Sequence, residues 1–158
     1  MTPAEELRYL ILGTQREGNR IFADLLRPLG LTPSQAEALR VVADREPLSL
    51  LELGGLLICE TGSPSRLVDG LVKAGLVERA DDPADRRRVT LSASDAGRTA
   101  ARGVFEVETQ LHQFIEARIP ARQLTETIGV LRSLVADRPA GAALDRRRTI
   151  TRVSASRS

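Results

Sequence analysis

The chain has 158 residues, the length of one globular domain or of one small domain with long helical extensions, so two enzyme-sized domains are excluded. Its 42% apolar and 28% charged residues are typical of a folded soluble protein and exclude the disordered and membrane classes. The formal net charge is +2, but five arginines and one aspartate fall within residues 139–158, so this segment carries +4 and residues 1–138 carry −2. Binding to nucleic acid must therefore be argued from local placement rather than from overall charge.

Cysteine and histidine usage excludes several kinds of site. Cys59 is the only cysteine and His112 the only histidine, so an internal disulfide and a cysteine- or histidine-rich metal site are ruled out. No apolar run could span a bilayer, and Glu5, Glu6 and Arg8 occupy the place of a secretory signal, so we expect a cytoplasmic protein without membrane attachment. No phosphate-binding glycine loop or catalytic grouping is visible, so we expect no enzyme activity and no cofactor.

The first third of the chain predicts three helices. Apolar residues at helical spacing predict a long amphipathic helix over about residues 3–29. Capping boxes that begin at Thr32 and Ser49 then open a second helix over about residues 33–44 and a short third helix over about residues 50–57.

The next segment predicts a helix-turn-helix followed by a hairpin. Residues 59–62 form the turn, and Ser63 is the N-cap of a helix that stops at Gly75. Strand patterns at 76–79 and 88–93 enclose a turn rich in acidic residues. A hairpin therefore follows directly after the second helix of the motif.

Two further helices and a tail complete the chain. A long helix, capped by Ser94 or Ser92, ends before Pro120, and a last helix covers about residues 121–137. Residues 139–158 have no sustained apolar period, so we expect a basic, flexible tail, with one added helical turn as the alternative for its first part. Its arginines are either nonspecific phosphate contacts or solvated side chains.

A helix-turn-helix with a hairpin behind it can bind DNA, with the second helix in the major groove and the hairpin at a neighbouring minor groove. At the start of that second helix, short hydroxyls and backbone N–H groups can meet phosphates, and a guanidinium can reach a guanine edge. The candidate residues there are Ser63, Ser65 and Arg66.

The hairpin turn holds the second group of candidates. A carboxylate two residues before an arginine can hold the guanidinium in a fixed direction, which favours insertion into a narrow minor groove. The residues are Asp85, which would orient Arg87, and the flanking Arg86 and Arg88. Residues 76–92 are neutral overall, however, so a solvated surface with weak ion pairs is the alternative.

Three runs around the predicted helix-turn-helix and hairpin form a pattern: residues 65–71 (SRLVDGL), 75–79 (GLVER) and 82–87 (DPADRR). These runs resemble the recognition helix and wing of the MarR-type (multiple antibiotic resistance regulator) transcription factors. The Gly97-Arg98 pair also falls where that family has Leu-Thr-x-x-Gly-Arg at the start of its fifth helix. Ala93 in the leucine place is a departure that weakens packing of the wing on that helix, and Pro64 is less usual.

The resemblance implies a mainly α fold with a small β wing, in which a winged helix-turn-helix domain is flanked by long dimerisation helices. It also implies a homodimer on a pseudo-palindromic operator of double-stranded DNA, usually as a repressor, released by a small aromatic effector or by oxidation. The expected segments are residues 1–30 (dimerisation helix), 31–93 (winged domain), 94–138 (dimerisation helices) and 139–158 (tail).

Two other functions remain open from the residues. The same helices could dock a protein, with the neutral wing as plain surface. Cys59 in the turn could make the protein a redox sensor, but no second cysteine could resolve a sulfenic acid and no basic residue adjoins it. We therefore favour a small buried side chain at Cys59.

Overall fold

The structure, a computed structural model, describes residues 1–58, 63–81 and 89–155, with side chains up to residue 148. Seven helices, one 3₁₀ turn and three strands follow one another in these ranges, which confirms the mainly α class with a small β wing. Within them no helix is long and apolar enough to cross a lipid bilayer. The elements are α1 (Pro3–Leu26), a 3₁₀ turn (Arg27–Leu29), α2 (Pro33–Arg45), β1 (Leu48–Ser49), α3 (Leu50–Gly54), α4 (Pro64–Lys73), β2 (Val77–Asp81), β3 (Val89–Ala93), α5 (Asp95–Glu116), α6 (Ala121–Val135) and α7 (Pro139–Ala155).

Hydroxyl side chains start four of these helices. The predicted capping boxes at Thr32 and Ser49 are both formed, with reciprocal hydrogen bonds to the third residue of each helix, and Thr2 forms a third box. Ser94, one of the two predicted caps of α5, accepts a hydrogen bond from the Gly97 N–H at 2.9 Å. Each cap satisfies backbone donors that the first turn leaves unpaired, which explains why the helices begin where they do.

The predicted hairpin is present, but it belongs to a three-stranded antiparallel sheet in the order β1-β3-β2. In the hairpin, Val77 pairs with Ala93 and Asp81 with Val89. Strand β1 adds the pair Leu48 and Leu91. The sequence did not predict β1, because two residues are too short to show the alternation of a strand.

The core lies inside the winged domain, between α2, α4, the sheet and the first half of α5. The long helices outside it contribute little, since Leu26 is the only buried residue of α1 and α6 has none. Most of the length of α1 and α6 is therefore left uncovered by the described residues of this chain. The largest fully buried side chains are Leu26, Leu39, Leu53, Leu71, Leu91, Val42, Val68, Val77 and Val104.

The expectation of a flexible tail is wrong for residues 139–155, which form helix α7. Small residues let this helix approach α6 closely. A Cβ atom on Gly141 would lie 2.0 Å from the Val135 carbonyl oxygen, and Ala143 is buried. An ion pair between Arg132 of α6 and Asp145 of α7 holds the two helices together. Gly141 and Ala143 interrupt the apolar pattern of the sequence, and they are also the residues whose small size lets α7 pack on α6.

Candidate nucleic-acid interface

Helix α4 is anchored by one face and presents the other to solvent. Val68 and Leu71 are fully buried at 0% exposure, and Leu67 and Val72 are packed against the same core. On the opposite side, Arg66, Asp69 and Lys73 are exposed at a spacing of three to four residues. The helix therefore holds a polar stripe outward on a rigid support.

One residue of this stripe is tied to the hairpin. The Arg79 guanidinium of β2 donates to the Asp69 carboxylate at 2.6 Å, which neutralises Asp69 and fixes β2 against α4. No ion pair engages Arg66 among the described residues, so its guanidinium is available to an external partner. Lys73 adds a second positive charge one turn from the Asp69–Arg79 pair.

The N-terminus of α4 offers groups that suit an anion. Ser63 is the N-cap residue in an extended conformation, and its hydroxyl makes no cap hydrogen bond. Pro64 at the first helical position has no N–H, and the backbone amide of Arg66 donates to the Ser63 carbonyl oxygen at 3.0 Å. The Ser63 hydroxyl and the positive end of the helix dipole together can accept a phosphate.

The structure brings Ser63 and Arg66 to the exposed start of α4, but it places Ser65 differently. Ser65 is half-buried and lines an open cavity of about 1180 Å³ beside α3, together with Leu50 and Leu51. Its spacing of four from Asp69 places Ser65 at the edge of the stripe, where the neighbouring α3 leaves it half-buried. The remaining candidates, Asp85, Arg86, Arg87 and Arg88, and also Cys59, lie outside the described residues.

The joint between the hairpin and α5 is fixed by Glu46. Its carboxylate accepts from the Ala93 N–H at 2.6 Å and from the Arg98 guanidinium at 2.8 Å. Hydrogen bonds from Arg98 to Asp95 and to Glu46 raise the pKa of this guanidinium above its ordinary value, so it stays charged. Ala93, the departure from the family pattern, is buried in this joint.

Sequence reasoning missed a set of contacts behind the helix-turn-helix. Arg146 and Arg147 of α7 donate to the carbonyl oxygens of Gly55 and Leu56, the two residues after α3. Partners separated by 91 positions leave no local pattern, so the sequence predicts only a basic tail for the triple arginine. Both guanidinium groups are therefore bound to the backbone behind the helix-turn-helix.

Apolar side chains remain exposed on α1, α5 and α6. On α1, the side chains of Leu7, Leu10, Ile11 and Ile21 share one face, whereas Phe105 and Phe114 of α5 are nine positions apart and lie on opposite sides of that helix. Exposed apolar side chains in this number exceed the single scattered ones that are normal on a surface. His112 is exposed on α5, and the described residues contain no group of three His, Cys, Asp or Glu side chains able to hold a metal ion. The exposed apolar residues include Leu7, Leu10, Ile11, Ile21, Phe105, Phe114, Ile115, Ile128, Leu131 and Leu134.

Comparisons with known proteins match the same regions. A winged helix DNA-binding domain family matches residues 31–97, which hold α4 and the hairpin. The multiple antibiotic resistance protein MarR of Escherichia coli K12 is 27% identical over 116 residues, covering 73% of this chain and 81% of that protein. An HTH-type transcriptional regulator of Bacillus subtilis 168, YcgE, is 38% identical over 77 residues, and this match spans only 50% of its length.

A solved structure extends the likeness to the long helices. The crystal structure of a mutant E. coli MarR complexed with operator DNA has a TM-score of 0.74 and 25% identity, and it covers 82% of this chain and 94% of the other. The reduced form of MarR has a TM-score of 0.67, also at 25% identity, and covers 85% of this chain. Because these shares are much larger than the winged domain alone, the shared architecture extends to the long helices outside it.

Proposed function

We propose that this chain is a member of the MarR family of winged helix-turn-helix transcription factors, to which its winged domain and its overall fold are similar. In this proposal it is a sequence-specific, DNA-binding regulator that acts as a homodimer in the cytoplasm. It has no enzymatic role in this proposal. The observation that carries it is Arg66, exposed and free of ion pairs within the described residues, at the start of a helix whose other face is buried.

Helix α4 enters the major groove of double-stranded DNA in this proposal. Arg66 donates to a guanine edge, since a guanidinium matches the two acceptors of guanine there. Ser63 binds a phosphate at the helix N-terminus, and Ser65 reaches the backbone from the flank of the stripe. In the wing, Arg86, Arg87 and Arg88 contact the minor groove, with Asp85 orienting Arg87.

The exposed apolar side chains of α1, α5 and α6 support the homodimer. Ile128 and Leu134 on α6 are 48% and 55% exposed, and Phe105 on α5 is 55% exposed. Burial of apolar surface contributes about 25 cal/mol per Å², so exposed side chains of this kind favour a second copy. A twofold dimer would place two copies of α4 about one helical turn, roughly 10 bp, apart on a pseudo-palindromic operator.

The regulatory outcome in this proposal is repression relieved by a small aromatic effector. A dimer bound over a promoter excludes polymerase. The effector in this proposal binds more tightly to a dimer conformation in which the two α4 helices have a different spacing. It therefore lowers the affinity of the dimer for the operator by the difference between its binding free energies for the two conformations. Screening small aromatic compounds for release of bound DNA tests this part.

DNA binding is tested by selecting duplexes from randomised DNA with the full chain and measuring their affinity by fluorescence anisotropy. Arg66→Ala should weaken binding by about 5- to 140-fold, because a bidentate contact to guanine contributes about 1–3 kcal/mol. Arg122→Ala is the matched control: it removes the same charge from a side chain that is 91% exposed at the start of α6. Helix α5, about 33 Å long, separates that position from the winged domain.

Salt dependence separates DNA binding from protein docking. Several arginine–phosphate contacts make affinity fall steeply with rising salt. The logarithm of the association constant falls with the logarithm of the salt concentration, with a slope of about 0.9 for each phosphate neutralised. If no duplex is enriched, or affinity is flat with salt and Arg66→Ala binds like the parent chain, the DNA-binding proposal fails and the protein-docking alternative is favoured.

A further inference from the structure

Helix α7 reaches back to the helix-turn-helix through two arginines. Arg146 donates from Nη1 to the Gly55 carbonyl oxygen at 2.8 Å, and Arg147 donates from Nε to the Leu56 carbonyl oxygen at 2.8 Å. Both acceptors directly follow α3, the first helix of the motif. The last carbonyls of a helix are unpaired and carry partial negative charge, so a guanidinium is a suitable cap for them.

Glu37 of α2 connects Arg147 to the backbone amide of Ile58, two residues after Leu56. Its Oε1 accepts from Arg147 Nη2 at 2.5 Å and from the Ile58 N–H at 2.9 Å. The Glu37 side chain is 11% exposed and that of Arg147 33%, so this ion pair is partly shielded from solvent. Partial shielding makes it worth more than a fully exposed arginine–carboxylate pair. Arg147 and Glu37 thus hold both the carbonyl of Leu56 and the amide of Ile58.

The contacts also connect the helix-turn-helix to α6. Asp145, one residue before Arg146, pairs with Arg132 of α6. The close packing of Gly141 against the end of α6 fixes the start of α7 on the same helix. A continuous set of polar and packing contacts therefore runs from α6, through α7, to residues 55–58.

We propose that Arg147 is a positioning residue for DNA binding: it holds residues 55–58, and so the orientation of α3 relative to α4, without touching DNA. This inference rests on the proposed DNA-binding function. The guanidinium is committed to the Leu56 carbonyl and to Glu37, so it is not a phosphate contact. Through these contacts, helix α7 keeps the helix-turn-helix in the conformation that fits the major groove.

Loss of the Arg147 contacts lowers the fraction of molecules in the binding-competent conformation, and the apparent affinity for DNA falls in proportion to that fraction. Arg147→Ala should weaken binding of the selected duplex about three- to tenfold, with an unchanged salt slope because no phosphate contact is lost. Arg147→Lys should weaken it nearly as much, because an ammonium keeps the charge but cannot reproduce the planar donors of a guanidinium. Arg148→Ala, which removes an exposed positive charge one residue away, is the matched control and should bind like the parent chain.

Hydrogen exchange of the DNA-free protein gives a readout independent of DNA. In Arg147→Ala, the backbone amides of Leu56, Leu57 and Ile58 should exchange several-fold faster than in the parent chain and in Arg148→Ala, while the amides of α2 keep their protection. Thermal unfolding of each variant verifies that the chain remains folded.

Each outcome decides one of the two proposals. If the parent chain enriches no duplex, the proposed function fails, and the exchange data alone decide whether Arg147 holds residues 55–58. If the parent chain binds DNA but Arg147→Ala binds equally well, the positioning role is wrong. A weaker Arg147→Ala whose salt slope falls by about one, or an Arg147→Lys that binds fully, identifies a phosphate contact and overturns the proposal.

Discussion

Gly97→Ala should destabilise the joint between the hairpin and α5. A Cβ atom on Gly97 would lie 1.9 Å from the Leu76 carbonyl oxygen, far inside the 3.4 Å at which ordinary van der Waals contact begins. The obstacle is backbone, which a rotamer change cannot move aside. The start of α5 must therefore separate from the hairpin for the methyl group to fit.

The size of the effect follows from the contacts that this separation would break. Ser94 donates from its backbone amide to the Leu76 carbonyl oxygen at 3.1 Å and from its hydroxyl to the Gly75 carbonyl oxygen at 2.6 Å. Each hydrogen bond contributes about 1 kcal/mol, and the forced repacking costs about 1–3 kcal/mol. Alanine returns about 1 kcal/mol through its helix propensity. The free energy of unfolding should fall by about 2–4 kcal/mol.

Urea unfolding at one fixed protein concentration measures this loss, because the stability of a dimer depends on concentration. Gly13→Ala is the control: its site has nothing within 4 Å, and it should raise stability by up to about 1 kcal/mol. If Gly97→Ala unfolds at the same urea concentration as the parent chain, α5 does not approach Leu76 as closely as described.

Three other substitutions have expected results. Ile128→Asp places a charge on the exposed apolar face of α6 and should shift the protein from dimer to monomer in analytical ultracentrifugation. Arg122→Asp, on the opposite face of α6, is the control and should leave the dimer intact. Equal behaviour of the two variants would refute a dimer through this face. Leu39→Ala in the core should lower the free energy of unfolding by about 2–5 kcal/mol. Thr32→Ala should cost about 1 kcal/mol by removing the cap of α2, and Thr32→Ser should recover most of it; a neutral Thr32→Ala would show that the cap does not contribute.

Local chemistry made much of the fold predictable. Thr32 and Ser49 start their helices as capping boxes because the donor, the acceptor and the spacing of three residues all lie within one short stretch. The hairpin is equally local. The face of α4 could also be assigned in advance, since the spacing of Val68 and Leu71 decides which side is buried and leaves Arg66 outside.

Contacts between distant parts of the chain could not be predicted in this way. Strand β1 exists only because β3 offers it a partner more than 40 positions later. Helix α7 packs through the absence of side chains at Gly141 and through Arg146 and Arg147, which a sequence shows only as small and charged residues. The half-buried position of Ser65 likewise depends on α3 rather than on the periodicity of α4.

Hydroxyl-radical footprinting of the full chain on a selected duplex tests sequence-specific binding by a dimer most directly. Two copies of α4 on one face of the DNA should protect two patches about one helical turn, roughly 10 bp, apart, and Arg66→Ala should lose both at a concentration where Arg122→Ala keeps them. A single protected patch, protection that does not depend on the DNA sequence, or an unchanged footprint with Arg66→Ala would contradict dimeric recognition through α4.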